Sequence, residues 1–243
     1  MTEFTRAFSV PFRKSNYSKE LYAMRKCFQD CDAYSGKENF SRMGDSIRTK
    51  DNLHTLKGFE YLTHWIEKEA FEFGKYTFGL TSTLSINSMW GTINSKTSHW
   101  NMVHTHPECL ISGVFWLSAP IGSGDFVFMN PTNIDWWTQR LFNTEKLESN
   151  SYSGTYLKIN AKEGQCLIFP SYVPHMVEPN TTEKDRYSIS FNLEVDERNL
   201  RIKPDRRLRR ENAEFFDRAV RLSEIYYCTP PAERLGFVKD LID

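Results

Sequence analysis

The sequence predicts an all-β core, a sandwich or barrel, with helices placed before and after it. Two observations carry this. Six or seven short runs of strand length lie between residues 81 and 195, separated by Gly, Pro and Asn turns. Helical periodicity, in contrast, is confined to segments outside that region, so repeated βαβ units do not arise.

Taken in order, the first fifty residues are mixed and rich in Ser, Lys and Asp, and they read as irregular apart from a short helix around Lys19–Gln29. Leu56, Phe59, Leu62, Trp65, Ile66 and Phe71 recur at helical spacing. The packing helix is therefore placed within 53–74, stopping near Gly74. Thr81–Trp90 then alternates and carries β-branched residues, Glu108–Ser118 is a largely apolar run, and Asp125–Met129 is a short one closed by Asn130-Pro131. Tyr156–Ile159 alternates, Gly164 turns the chain into Gln165–Phe169, and Tyr187–Val195 alternates again. Residues 198–210 hold seven basic side chains, and 211–226 has the spacing of an amphipathic helix.

A chain of 243 residues is expected to form a single domain, 1–243, with its core at 81–195 and a basic connector and helical extension at 198–243. The 31 basic and 31 acidic residues cancel, which gives no global electrostatic argument for nucleic acid or an anionic membrane. The basic run reads as a solvated connector, with a phosphate-bearing partner as the alternative; a homodimer is also open. No run of 18 apolar residues or signal-peptide pattern occurs, so a membrane span or secretion is not expected. Cys27, Cys31, Cys109, Cys166 and Cys228 form no disulfide framework and no paired zinc spacing, which makes free thiols in the cytoplasm the expectation.

The chemistry concentrates in three histidines. His104 and His106 are two apart, so on a strand both imidazoles project from one face, and Glu108 does too if the strand continues. His175 follows about seventy residues later, just past the Gln165–Phe169 run, and can close a triangle of ligands. Imidazoles with a possible carboxylate suit Fe, Zn, Cu or Ni. His54, His64 and His99 have no comparable arrangement. Eleven residues beyond His175 stands Arg186, with Ser188 two further on and on the same face of the strand. A guanidinium and a hydroxyl so placed can clamp the remote carboxylate of a 2-oxoacid that chelates a metal at its other end.

These segments together resemble the iron(II)- and 2-oxoglutarate-dependent oxygenases, in particular a bacterial and phage group. The likeness runs through Trp90–Asn94, Asn101–Pro107, Leu110–Leu117, Phe128–Pro131, Gly164–His175 and Arg186–Asn192. It implies a double-stranded β-helix, the jelly-roll of the cupins, as the catalytic core. It implies Fe(II) held by His104, His106 and His175, and 2-oxoglutarate bound through Arg186 and Ser188. Asn101 and Asn192 would touch the ligands or the co-substrate. The implied reaction is oxidative decarboxylation of 2-oxoglutarate coupled to hydroxylation of a small molecule or protein side chain whose identity is not readable.

The family's usual spelling is His-x-Asp/Glu…His. Here a histidine occupies the carboxylate position if His104 leads, while His106-Pro-Glu108 restores the usual spelling and moves His104 out of the ligand set. A cupin-like three-histidine metalloenzyme that does not use 2-oxoglutarate, and a non-catalytic jelly-roll binding protein, are the competing classes.

Overall fold

A computed structural model describes residues 9–29, 31, 33–35, 42–43, 47–95, 100–107, 109–131 and 156–195. The chain divides into two compact units, Met1–Arg201 and Ile202–Asp243. The second unit, with the predicted helix at 211–226, lies outside the described residues, as does the whole basic run at 198–210.

The core is built by strands β5 (Leu84–Asn94), β6 (Trp100–His104), β7 (Ile111–Ser118), β8 (Phe126–Met129), β9 (Tyr156–Ile159), β10 (Gln165–Pro170), β11 (His175–Val177) and β12 (Arg186–Val195). They form two antiparallel sheets. In the larger the core order is β10-β7-β12-β5, and in the smaller β6-β11-β8-β9. Apart from the β8–β9 step, each connection crosses from one sheet to the other. That winding is the double-stranded β-helix.

Period-two alternation sorts the side chains of the larger sheet. Along β12, Ile189, Phe191 and Leu193 enter a core shared with Leu62, Ile66, Ala70 and Phe73 of the helix α2 (Glu60–Phe78). Each such side chain removed from water stabilises the fold by about 1.5–3 kcal/mol. The opposite face looks between the sheets. There Val114, Trp116, Phe126, Phe128, Leu167, Phe169 and Val173 form a second apolar cluster, beside the buried polar residues Thr92, Asn94, Ser112, Arg186, Ser188 and Asn192. Polar residues thus line one stretch of an otherwise apolar interior.

The helix boundaries differ from the sequence expectation for a physical reason. Gly74 does not stop α2; it sits inside the helix and is buried. A Cβ there would come within 2.7 Å of Leu80 and 3.4 Å of Ile111, so this glycine lets the helix lie close to the strands. The stop is Gly79, whose left-handed φ of 66° caps the helix through bonds to the Gly74 and Lys75 carbonyls. Likewise Leu53–Thr55 form a separate short 3-10 turn and α2 begins only at Glu60.

The described part of the first fifty residues holds more strands than its composition implies. The helix α1 (Leu21–Gln29) is present as expected, but strands β1 (Arg13–Asn16), β2 (Ala33–Ser35) and β4 (Ile47–Thr49) extend the larger sheet, and β3 (Arg42–Met43) extends the smaller. β1 is polar, with Arg13 and Ser15 both bonded to Glu69 on α2, so its pattern carries no strand signal. Among the described residues no helix is long and apolar enough to cross a membrane.

Candidate metal centre

His104 ends β6 and is the register partner of His175, the first residue of β11. A bulge interrupts the β6–β11 pairing just before that point; such irregularities re-aim side chains at sites. His106 lies beyond the end of β6, so the expectation of one continuous strand under both histidines is corrected. A main-chain bond from His106 N–H to the Ser171 carbonyl, 3.0 Å, holds it against the β10–β11 turn instead.

The three rings nevertheless converge. Their candidate ligand atoms all lie within 4.8 Å of one another, and the Nε2 atoms of His106 and His175 are 3.3 Å apart. The hydrogen bonds define which nitrogens are available. His104 Nδ1 lies 2.7 Å from the Met102 carbonyl and His175 Nδ1 lies 2.9 Å from the Val173 carbonyl. A carbonyl only accepts, so each Nδ1 carries the proton and each Nε2 of a neutral ring presents a lone pair. Aromatic walls surround the cluster, with Phe126 stacked on His175, Phe169 edge-on to it, and Trp90 stacked on His106 at 6.0 Å between centroids.

Burial dominates the electrostatics. It lowers the proton affinity of His104 and His175, and of His106 to a pKa of about 3, with the neighbouring imidazoles adding to the effect at His106 and His175. Neutral rings are the metal-binding form. A consequence follows for the metal-free protein. Unfolded imidazoles take up protons below about pH 6.5, whereas His106 in the fold does not until about pH 3. The unfolded state binds more protons in that window, so stability is full above it and falls as pH drops through it. Urea melts at pH 7.5 and 5.5 should show a loss of up to about 1.4 kcal/mol per histidine per pH unit. Equal midpoints would mean that the rings protonate within the fold.

Arg186 opens β12, opposite Asn94 of β5, and is 1% exposed. Its Nη1 donates to the Ser123 and Gly124 carbonyls at 2.5 and 3.1 Å, while Nε is buried with no partner. No carboxylate forms a salt bridge with it among the described residues. Burial pulls its pKa down to about 10, with Asp125 opposing, so it is a cation at neutral pH. Ser188, also buried, lies two positions along the same face opposite Thr92. Gly124 (φ 95°) belongs to this arrangement: a Cβ there would meet the Glu178 carbonyl at 2.2 Å and Arg186 Nη1 at 2.8 Å.

The predicted residues therefore separate. His104, His106 and His175 meet; Arg186 and Ser188 share the inner face of β12; and Asn192, on that face too, accepts from Ser112 Oγ at 2.8 Å and donates to Ser88 Oγ at 3.1 Å. Asn101 on β6 pairs with Val177 of β11, and among the described residues it makes no hydrogen bond to the histidines or to Arg186. Glu108 lies outside the described residues, as do Trp136, Trp137 and His99. Sequence reasoning missed Arg48, whose guanidinium lies 4.6 Å over the Trp90 ring and bonds Asp51 at 2.6 Å. It also missed the carbonyls of Ser123 and Gly124. The only available signal for these was the glycine spacing in Gly122-Ser-Gly124.

Residues 88–192 match the family model described as "Putative 2OG-Fe(II) oxygenase". That stretch is 105 of the 243 residues, and over it the chain is similar to the 2OG-Fe(II) oxygenases. The three-histidine cluster fits iron binding. Solved structures agree in fold. HygX from Streptomyces hygroscopicus, with nickel and 2-oxoglutarate bound, is 14% identical with a TM-score of 0.55 over 76% of this chain and 83% of its own. A prolyl-4-hydroxylase from Pseudomonas putida is 10% identical with a TM-score of 0.55 over 77% and 94%. The epimerase SnoN from nogalamycin biosynthesis is 12% identical with a TM-score of 0.55 over 77% and 79%. No curated protein matches the sequence. The likeness to these structures, at such identities, is one of fold.

Proposed function

We propose that this protein is an Fe(II)- and 2-oxoglutarate-dependent dioxygenase that hydroxylates its primary substrate, with His104, His106 and His175 holding Fe(II) and Arg186 and Ser188 receiving the C5 carboxylate of 2-oxoglutarate. The observation that carries the proposal is Arg186. It is a buried cation whose Nε has no protein partner, on the sheet face that also bears Ser188 and Asn192. A buried guanidinium with unmet donors favours a carboxylate, which can accept a charge-assisted pair of bonds. A three-histidine enzyme that does not use a 2-oxoacid has no need of that cation.

The donor set fits the metal. Three neutral imidazoles with two Nδ1 protons committed to carbonyls offer Nε2 lone pairs to one ion and leave coordination positions for small ligands. When bound, iron supplies the redox chemistry that couples decarboxylation of the 2-oxoacid to oxidation of a C–H bond. The chain's own residues do the rest. Arg186, fixed by the Ser123 and Gly124 carbonyls, orients the co-substrate; Ser188 adds a hydroxyl donor; and Phe126, Phe169 and Trp90 exclude water around the imidazoles. With three uncharged ligands, the co-substrate brings the first negative charge to the centre. Its binding and that of the metal should therefore reinforce each other strongly. We place the protein in a reducing, cytoplasmic setting, where a thiol such as the buried Cys166 persists.

The test is succinate formation by dialysed protein. It should appear only when Fe(II), 2-oxoglutarate and oxygen are supplied together, slowly without a primary substrate. Metal binding without any 2-oxoglutarate consumption would favour the three-histidine alternative.

A further inference from the structure

His104 and His175 are steadied by strand pairing and by main-chain carbonyls at their Nδ1 atoms. His106 stands past the end of β6, tied to Ser171 through its main chain, and no main-chain carbonyl bonds its ring among the described residues. What lies along that ring is Trp90 of β5, stacked on it at an interplanar angle of 24° with 6.0 Å between centroids. We infer that Trp90 is the positioning residue of the His106 imidazole, and that Arg48 of the neighbouring strand β4 holds Trp90 in place. The inference rests on reading the three histidines as the metal centre.

Offset ring pairs settle at about 4.5–7 Å between centroids, and the Trp90–His106 pair falls in that range. The indole also meets a cation, since Arg48 Cζ is 4.6 Å from its centroid. Arg48 is 8% exposed, and the attraction of a cation for a ring is strongest where water is excluded. The guanidinium is fixed in turn, because its Nη2 donates to Asp51 Oδ1 at 2.6 Å. An indole held against a fixed cation keeps its plane, and the imidazole stacked on it keeps its own. That plane is also nearly the plane of His175, at 8° and 5.1 Å from His106. It is the orientation in which the two Nε2 atoms face each other at 3.3 Å.

The placement is built into the sheet. Arg48 is the register partner of Thr92, two residues from Trp90, so the Arg48 and Trp90 side chains leave the same face of the β4–β5 pair. The backbone on either side of Trp90 is tied to the same segment. Met89 N–H donates to the Asp51 carbonyl at 2.9 Å, and Gly91 N–H donates to Thr49 Oγ1 at 2.8 Å. Gly91 has no room for a Cβ, which would meet the Phe28 ring at 1.7 Å, so β5 is pressed against α1 directly behind the indole. A metal ligand keeps its aim when the side chains around it are locked by packing of this kind. Trp90 thus does by stacking what the Met102 and Val173 carbonyls do for the other two rings.

The experiment is Co(II) titration of the metal-free full chain, read by visible absorption, for wild type, Trp90→Leu, Trp90→Phe and Arg48→Met. Circular dichroism and urea midpoints report the fold of each. Trp90→Leu keeps apolar bulk without a ring. It should weaken Co(II) binding by about 2–10-fold, the weight of one ring pair, and shift the ligand-field bands. Trp90→Phe should return affinity and bands to near the wild type, because a ring can stack again. Arg48→Met should move both in the direction of Trp90→Leu, by less. Wild-type affinity and bands in Trp90→Leu, or Trp90→Phe as weak as Trp90→Leu, would overturn the inference. Unchanged values in Arg48→Met would overturn the part assigned to Arg48. Should Trp90→Leu fail to fold, Arg48→Met decides, and unchanged bands there overturn the whole. Failure of the wild type to bind Co(II) would instead remove the metal-centre reading on which the inference stands.

Discussion

Replacing His175 with alanine is expected to abolish metal-dependent turnover and to reduce metal affinity by more than the roughly 10–100-fold that loss of an outer-shell partner costs. His175 is 3% exposed and its ring lies against all its potential co-ligands, 4.4 Å from His104 and 5.1 Å from His106 between centroids. Two remaining imidazoles cannot cap one face of an ion. The folded state should survive, because the substitution also removes a ring that burial keeps unprotonated. Isothermal titration with Fe(II) under argon measures the first effect and a urea melt the second. Retained Fe(II) affinity in folded His175→Ala would remove this histidine from the ligand set.

Replacing Arg186 with alanine should raise the 2-oxoglutarate requirement by about 2–5 kcal/mol, which is at least some thirtyfold, the cost of truncating one partner of a buried charge pair. The same change leaves the Ser123 and Gly124 carbonyls without their donor, so a destabilisation of about 1–3 kcal/mol should accompany it. Arg186→Lys separates the two effects. It keeps a cation but not the planar fork, and should recover part of the affinity only. KM for 2-oxoglutarate, measured with Fe(II) saturating, reads the clamp apart from the metal. An unchanged KM in folded Arg186→Ala would sink the assignment of Arg186 to the co-substrate.

Much of this arrangement is written locally in the chain. The alternation in Tyr187–Val195 gives both faces of β12, and the positions of His104, His106, His175, Arg186 and Ser188 can be named from spacing alone. What spacing does not carry is the end of a strand. β6 stops at His104, so the convergence of His106 depends on a main-chain bond to Ser171, 65 positions later. The hydrogen bonds that tie Ser112 to Ser171 and to Asn192 are illegible for the same reason, since serines and asparagines in strands are ordinary until register sets them side by side. Gly74 and Gly79 show the converse case. Both are glycines near a helix end, and only the packing of Leu80, Leu84 and Ile111 tells the close approach from the cap.

Strand β1 bears on how the molecule behaves in a crowded solution. Arg13-Lys14-Ser15-Asn16 lies at the outer side of the larger sheet, where a bare row of amides and carbonyls would invite pairing with another chain. The segment that least resembles a strand therefore acts as a fender. Its cations repel a second copy approaching edge to edge, and the ties from Arg13 and Ser15 to Glu69 pin it in place. This edge of the larger sheet is thereby guarded against pairing with a second copy.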